Sequence, residues 1–240
     1  KDIRKHVLPS GDRVKDGGFT HFMIVLSDKN LANIPADLQR VPIVVNPRDC
    51  VPKDYIRGNI KDNMKLIPDN KFIQKCRINN DHAVIISGGP NIDYVELKNT
   101  LAKHPNAMTI CVKHAYPGLI ANDIKPNACI LLDPRSIEGE STHGVKRKDL
   151  LKDINKDTKF LVASMTDPSV TNYLMEKKAD IWGWHAFTES LRDDEDRKHA
   201  IKNNQVKIRE DVGLPVGATL ITGGTCAAMR AIGMLHTMGF

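Results

Sequence analysis

Short runs of uniformly apolar residues, separated by segments of helix length, constrain the fold of this chain more than any other feature. A run that is apolar throughout, rather than at every second position, is typical of a strand covered on both faces, and such strands occur in parallel sheets flanked by helices. The runs are Ala83–Ile86, Met108–Val112, Cys129–Leu132 and Phe160–Ala163, with a fifth candidate at Ala179–Trp182. The pattern predicts an α/β fold with a Rossmann-like, mostly parallel, doubly wound sheet.

Residues 1–76 have a different rhythm and are predicted to form a separate, smaller unit. Two apolar runs, Phe22–Leu26 and Pro42–Val45, flank a polar stretch of helix length, which is typical of a βαβ-like unit. Prolines and turn-forming residues interrupt residues 49–72, which favours a connector with one helix around Ile60–Leu66. We therefore expect a small N-terminal α/β annex followed by a connector.

Residues 77–240 are predicted to form the Rossmann-like nucleotide-binding domain. Its first helix follows the Ala83–Ile86 run, with Asn91 or Asp93 as the N-cap. Its last apolar helix covers about Thr225–Thr237, and the sequence then stops where a doubly wound fold would turn into another strand. We expect this domain to be truncated at its C terminus.

Composition and charge indicate which class of protein this is and which kinds of partner it could bind. The chain has 240 residues and 41% hydrophobic residues, and no apolar run approaches the roughly 18 residues of a membrane span. Its five cysteines are widely spaced, which favours a reduced, cytoplasmic protein. The net charge of +6 comes from basic residues interleaved with acids, as in Lys146-Arg147-Lys148-Asp149, so that no basic stripe is formed. This pattern argues against nucleic acid as a partner, favours a small anion, and leaves oligomerisation open.

The turn Ser87-Gly88-Gly89-Pro90-Asn91 lies between a buried strand and a helix, where backbone N–H groups bind anions. Glycine lets a phosphate approach the main chain, and Pro90 pre-sets φ for a helical turn. We predict that Ser87, Gly88, Gly89, Pro90 and Asn91 bind a nucleotide or phosphate. A plain tight turn is the alternative, since this is not the full dinucleotide fingerprint.

A second glycine-rich turn precedes the last helix, within Ile221-Thr222-Gly223-Gly224-Thr225-Cys226. Thr222, Gly223, Gly224 and Thr225 are further candidates for phosphate or sugar binding, because hydroxyl groups and main-chain amides both donate hydrogen bonds. The alternative is an N-cap followed by close packing of the helix.

Polar side chains at strand ends are the candidates for catalysis. Asp133 and Arg135 follow the third apolar run, at the edge where α/β proteins bind ligands. Asp133 suits a metal or a reacting hydroxyl and Arg135 a phosphate, while Asp167 is a second candidate metal ligand. His114 and His185 are the acid–base candidates, although both have ordinary structural alternatives. The sequence contains no Walker motif, zinc spacing or nucleophile elbow.

Several of these motifs resemble a known family. Val84 to Ile92 is similar to the glycine-proline turn of the family of archaeal 6-hydroxymethylpterin diphosphokinases and motility-associated (Maf) flagellin glycosylation proteins. Asn59 and Asn63 resemble its paired upstream asparagines, and Gly118 to Asn127 resembles the segment before its Asp-Pro pair. Ser87 and Asn91 depart from the glycine and serine of the family turn.

Residues Ile221 to Phe240 also resemble a helix of bacterial CMP-sialyltransferases. The resemblances imply a nucleotide-dependent transferase, with glycosyl transfer from a nucleotide-sugar as the first hypothesis. The second is diphosphoryl transfer from ATP, in which Asp133 and Asp167 would hold Mg²⁺. The acceptor is left undefined. A third hypothesis is a binding or assembly protein that keeps the fold without the chemistry.

Overall fold

The computed structural model describes residues 51–79, 81–89, 91–141, 144–187, 214, 218–221, 223 and 226–240. The helices are α1 (Lys53–Leu66), α2 (Tyr94–Lys103), α3 (Tyr116–Ala121), α4 (Pro168–Glu176) and α5 (Ala227–Thr237). The strands are β1 (Ala83–Ile86), β2 (Met108–Val112), β3 (Ala128–Leu131), β4 (Lys159–Ala163), β5 (Asp180–Ala186) and β6 (Leu220–Ile221). Two 3₁₀ helices cover Asp69–Lys71 and Arg147–Leu151.

The six described strands form one parallel sheet in the sequential order β1-β2-β3-β4-β5-β6. β3 is buried along its whole length, as are most residues of β2 and β4, because helices and loops cover both faces. The last helix, α5, follows β6 yet also contacts β1, β2 and β3. One helix reaches both edges because the sheet curls.

Local capping explains where two of the helices begin. The carboxylate of Asp93 accepts hydrogen bonds from the amides of Val95 and Glu96 at 3.0 and 2.9 Å, so α2 begins at Tyr94. The carboxylate of Asp167 accepts one from the amide of Ser169 at 2.9 Å, and proline follows at the first helical position of α4. Both helix starts are therefore satisfied by their own side chains.

The prediction of a parallel, Rossmann-like α/β fold is confirmed. β1 and β2 have the predicted bounds, β3 begins and ends one residue earlier than predicted, and β4 begins one residue earlier. The described strands do not show the reversal of order that defines a doubly wound sheet; each new strand is added on the same side of the one before it. The runs Phe22–Leu26 and Pro42–Val45, and with them the predicted annex, lie outside the described residues.

The segment before β1 packs on the sheet domain. α1 is longer than the predicted Ile60–Leu66 helix and contacts α4. Phe72 forms an isolated parallel bridge with Gly183 of β5, and the amide of Cys76 donates to the carbonyl of Thr237 at the end of α5. These contacts tie residues 53–79 to the strands. None of the described helices is long and apolar enough to span a bilayer.

Candidate functional site

The candidate site is built from residues that follow β2 and β3 at the carboxyl edge of the sheet. Because the strands are parallel and adjacent, the residues after each strand meet at one edge. Lys113 follows β2 directly, and Asp133 lies two residues beyond β3. This edge contains most of the polar side chains that the sequence singled out.

Asp133 is surrounded by three basic side chains. Lys113 Nζ lies 3.2 Å from Asp133 Oδ2, and Arg147 Nε lies 3.3 Å from the same oxygen. Arg135 binds in a bidentate manner, with Nε donating to Oδ1 at 2.8 Å and a terminal nitrogen donating to Oδ2 at 3.0 Å. We call Lys113, Arg135 and Arg147 the basic cluster. One carboxylate faces three cations, so the site carries an excess of positive charge.

Burial strengthens the interactions between these charged groups. The side chains of Lys113, Asp133 and Arg147 are only 10%, 14% and 9% exposed. Burial alone would raise the pKa of Asp133, but the hydrogen bonds from Arg135 and the charge of Lys113 outweigh it and lower the pKa to about 2. Burial also lowers the pKa of Lys113, although the Asp133 carboxylate opposes that effect. Asp133 is therefore ionised at neutral pH.

Arg147 reaches the site by a loop that returns to the end of β3. Its amide donates to the carbonyl of Gly139 at 2.9 Å, and a bridge between Glu140 and Lys146 closes the loop. One terminal nitrogen of Arg147 donates to the carbonyl of Ser136 at 2.7 Å. Its Nε is buried and, despite its closeness to Asp133, makes no hydrogen bond. The site thus contains one unsatisfied, buried donor.

Lys113 and Arg147 are the two site residues that sequence reasoning missed. Lys113 directly follows a predicted strand, and that position was the signal available for it. Arg147 lies in a run of mixed charge, and that pattern gives no sign of a buried position. Arg147 is nevertheless buried, whereas the side chain of its neighbour Lys148 is 48% exposed.

The two upstream asparagines hold the loops of this edge in place. Asn59 Nδ2 donates to the carbonyls of Pro134 and Met165, both at 3.0 Å. Asn63 is fully buried, and its Nδ2 donates to two carbonyls of the loop after β4, those of Ser164 at 2.9 Å and Thr166 at 2.6 Å. α1 thereby fixes the backbone that follows β3 and β4.

Asp167 is occupied on both carboxylate oxygens. Its Oδ1 accepts from the amide of Ser169 at 2.9 Å and from the Ser169 hydroxyl at 2.5 Å, and its Oδ2 accepts from the hydroxyl of Tyr55. Among the described residues, no group of three or more His, Cys, Asp or Glu side chains could hold a metal ion. An Mg²⁺ ion held between Asp133 and Asp167 would have to compete with these donors and with the three cations around Asp133.

The first glycine turn is exposed, and its two glycines differ. A Cβ on Gly88 would lie 2.9 Å from the Cβ of His114, whereas a Cβ on Gly89 would meet nothing within 4 Å. Ser87, Gly89 and Asn91 are also exposed, and Pro90 lies outside the described residues. Since Asp93, not Asn91, caps α2, the turn offers main-chain amides but not an uncapped helix end.

The histidines occupy different environments. His114 is exposed and lies against Gly88 at the carboxyl edge. His185 is 3% exposed within β5, where its ring stacks on Phe72 and its Nδ1 lies 3.0 Å from the Ser164 hydroxyl. The structure thus brings His114, and not His185, to the exposed surface of the edge.

The second glycine turn is described only in part, because Thr222, Gly224 and Thr225 lie outside the described residues. Gly223 has φ of +134°, and a Cβ there would lie 2.6 Å from the carbonyl oxygen of Met229. Glycine is required at this position by close packing of the turn on α5.

Comparison with known proteins identifies the family of the chain. The sequence model of one family, described as 6-hydroxymethylpterin diphosphokinase MptE-like, matches residues 56–240. The match covers the sheet, both asparagines and the basic cluster, and it confirms the resemblance to that family; the resemblances to Maf proteins and to sialyltransferases stay predictions. No curated protein and no solved structure shows significant similarity to the chain.

Proposed function

Since the chain belongs to the MptE-like 6-hydroxymethylpterin diphosphokinase family, we propose that it is a nucleotide-dependent transferase whose donor phosphates bind the basic cluster. One observation supports this proposal above the others: three cations from separate elements converge on the single carboxylate of Asp133 at the carboxyl edge. Such an excess of buried positive charge attracts phosphate oxygens and stabilises charge that develops on them.

Diphosphoryl transfer is the first candidate reaction. The hydroxyl oxygen of a hydroxymethyl group on a pterin-like acceptor attacks the β-phosphorus of ATP, the bond to the α-phosphate oxygen breaks, and AMP leaves. The basic cluster would stabilise negative charge on the phosphoryl oxygens. His114, exposed beside Gly88, is our candidate for the base that accepts the hydroxyl proton.

Glycosyl transfer from a nucleotide-sugar is the second candidate. It is supported by the resemblance of Ile221 to Phe240 to the sialyltransferase helix. In this reaction the same basic cluster would hold the nucleotide phosphate as the leaving group. The two reactions share a phosphate site and differ in the donor bond that breaks.

The experiment offers the purified chain both kinds of donor. ATP with a hydroxymethylpterin should give AMP and a diphosphorylated pterin, which chromatography and mass spectrometry detect. CMP- or UDP-sugars form the parallel arm, and release of CMP or UDP would favour the second candidate. Binding of a nucleotide without turnover in either arm would favour the non-catalytic alternative.

A matched pair of variants ties the activity to the site. Lys113→Met removes one cation of the basic cluster, whereas Lys125→Met makes the same change at an exposed position before β3, at the opposite end of that strand. Loss of a charge-assisted hydrogen bond of about 1.5–3 kcal/mol predicts a roughly tenfold to hundredfold fall in kcat/KM for the first variant only. Equal kcat/KM values for the two variants would show that the basic cluster takes no part in the reaction.

A further inference from the structure

The carboxylates of Asp133 and Asp167 both bind groups of the protein itself. Asp133 accepts from Arg135 on both oxygens and faces Lys113 and Arg147 as well. Asp167 accepts from Tyr55 and Ser169. A divalent ion held by these carboxylates would have to displace three cations from the first and a helix cap from the second, and the displaced cations would repel it.

We propose that the basic cluster binds a diphosphate group directly, with Lys113, Arg135 and Arg147 taking the place of a protein-held divalent ion. The proposal rests on the transferase function proposed above and specifies how its phosphate site works. Asp133 then acts as a positioning residue, because it holds the three cations at one point through contacts of 2.8–3.3 Å.

The arrangement suits an anion with several oxygens. Lys113 comes from the end of β2, Arg135 from the loop after β3, and Arg147 from a 3₁₀ helix, so the cations approach from three directions. The cations outnumber the carboxylate by two, which matches the charge of roughly one per phosphoryl group in a diphosphate diester. A diphosphate also has more oxygens than a single phosphate, so that each of the three cations can have an acceptor of its own.

Arg147 adds an independent observation. It is more than nine-tenths buried, and its Nε donor makes no hydrogen bond. A phosphate oxygen in line with this N–H group would supply the hydrogen bond that the Asp133 carboxylate, 3.3 Å away, does not complete. The planar guanidinium suits this task better than an ammonium group, because it donates to two oxygens at once.

The test measures binding of inorganic diphosphate to the full chain by calorimetry, once with EDTA and once with Mg²⁺. We expect dissociation constants within about threefold of each other, a difference below 1 kcal/mol. AMP, ADP and orthophosphate form further arms, and we expect diphosphate and ADP to bind more tightly than the two monophosphates. Binding that needs Mg²⁺ would overturn the inference while leaving the transferase proposal intact.

Three variants sharpen the result. Arg147→Lys keeps the positive charge but loses the planar guanidinium group that donates to two oxygens at once. It should weaken diphosphate binding roughly tenfold in EDTA, whereas Lys125→Met should not change that binding. Asp133→Asn should leave the ratio of the EDTA and Mg²⁺ constants unchanged, because no metal is lost. A selective loss of the Mg²⁺-supported binding in Asp133→Asn would identify Asp133 as a metal ligand and refute the inference. Diphosphate binding in EDTA without any transfer activity would instead refute the transferase proposal alone.

Discussion

Replacing Asn63 by alanine tests the physical basis of the carboxyl edge. The Asn63 side chain is fully buried and makes three hydrogen bonds: its Nδ2 donates to the carbonyls of Ser164 and Thr166, and its Oδ1 accepts from the Thr171 hydroxyl at 2.6 Å. Asn63→Ala leaves all three partners without this bond in a buried environment. At about 1 kcal/mol per lost bond, plus the cost of the unsatisfied groups, the free energy of unfolding should fall by about 3–5 kcal/mol.

Asn99 provides the matched control for this substitution. Asn99 is exposed on α2, whereas Asn63 is buried on α1. Both residues lie within helices, so Asn→Ala increases the helix propensity by the same amount, roughly 0.6 kcal/mol, in the two variants. Urea denaturation gives the two free energies, and calorimetry should show a melting temperature roughly 10 °C lower for Asn63→Ala only. If the two variants differ by less than about 1 kcal/mol, the bonds of Asn63 do not hold the edge together, and the reasoning is wrong.

Three further predictions concern single residues of the same edge. Gly88→Ala should lower the free energy of unfolding by about 1–3 kcal/mol because its Cβ would meet His114, while Gly89→Ala should leave stability unchanged and weaken diphosphate binding; calorimetry measures both. The pKa of Asp133 falls from 3.8 to about 2 on folding, so its contribution of about 2 kcal/mol is present above pH 3.8 and lost as the pH falls towards 2; urea titrations of the wild type and Asp133→Asn should converge over that window. Asp167→Ala removes a helix cap and the acceptor of Tyr55, and should cost about 2–3 kcal/mol in urea denaturation without changing the Mg²⁺ dependence of diphosphate binding.

The strands could be predicted from the sequence because strands buried on both faces are uniformly apolar. β1 and β2 are apolar at nearly every position, and their predicted and observed bounds agree. The order of the strands in the sheet, by contrast, has no corresponding sequence pattern. Sequential and reversed orders need the same apolar runs and the same helix lengths, so burial on both faces predicts a parallel sheet without fixing the order of its strands.

The capping of α2 shows a different limit. Asn91 and Asp93 both suit an N-cap, and the choice between them decides whether the glycine turn adjoins an uncapped helix end. The structure assigns the cap to Asp93, whose carboxylate binds two amides. Two amides at the positive end of α2 are thereby satisfied internally, so the basic cluster adds charge that the capped helix end does not supply.

Only some of the side chains of the candidate site can be assigned to it from the sequence. In a parallel sheet the residue after each strand lies at a known edge, so Asp133, Arg135 and Lys113 can all be assigned to it from the strand pattern alone. Arg147 cannot, because the loop that returns it to Asp133 is set by contacts with Gly139 and Ser136 that no periodicity records. Its burial strengthens its interaction with Asp133, since buried charges are screened far less than exposed ones. Arg147 thereby raises the excess of cations over the Asp133 carboxylate from one to two, although the charge pattern of the sequence gives no sign of it.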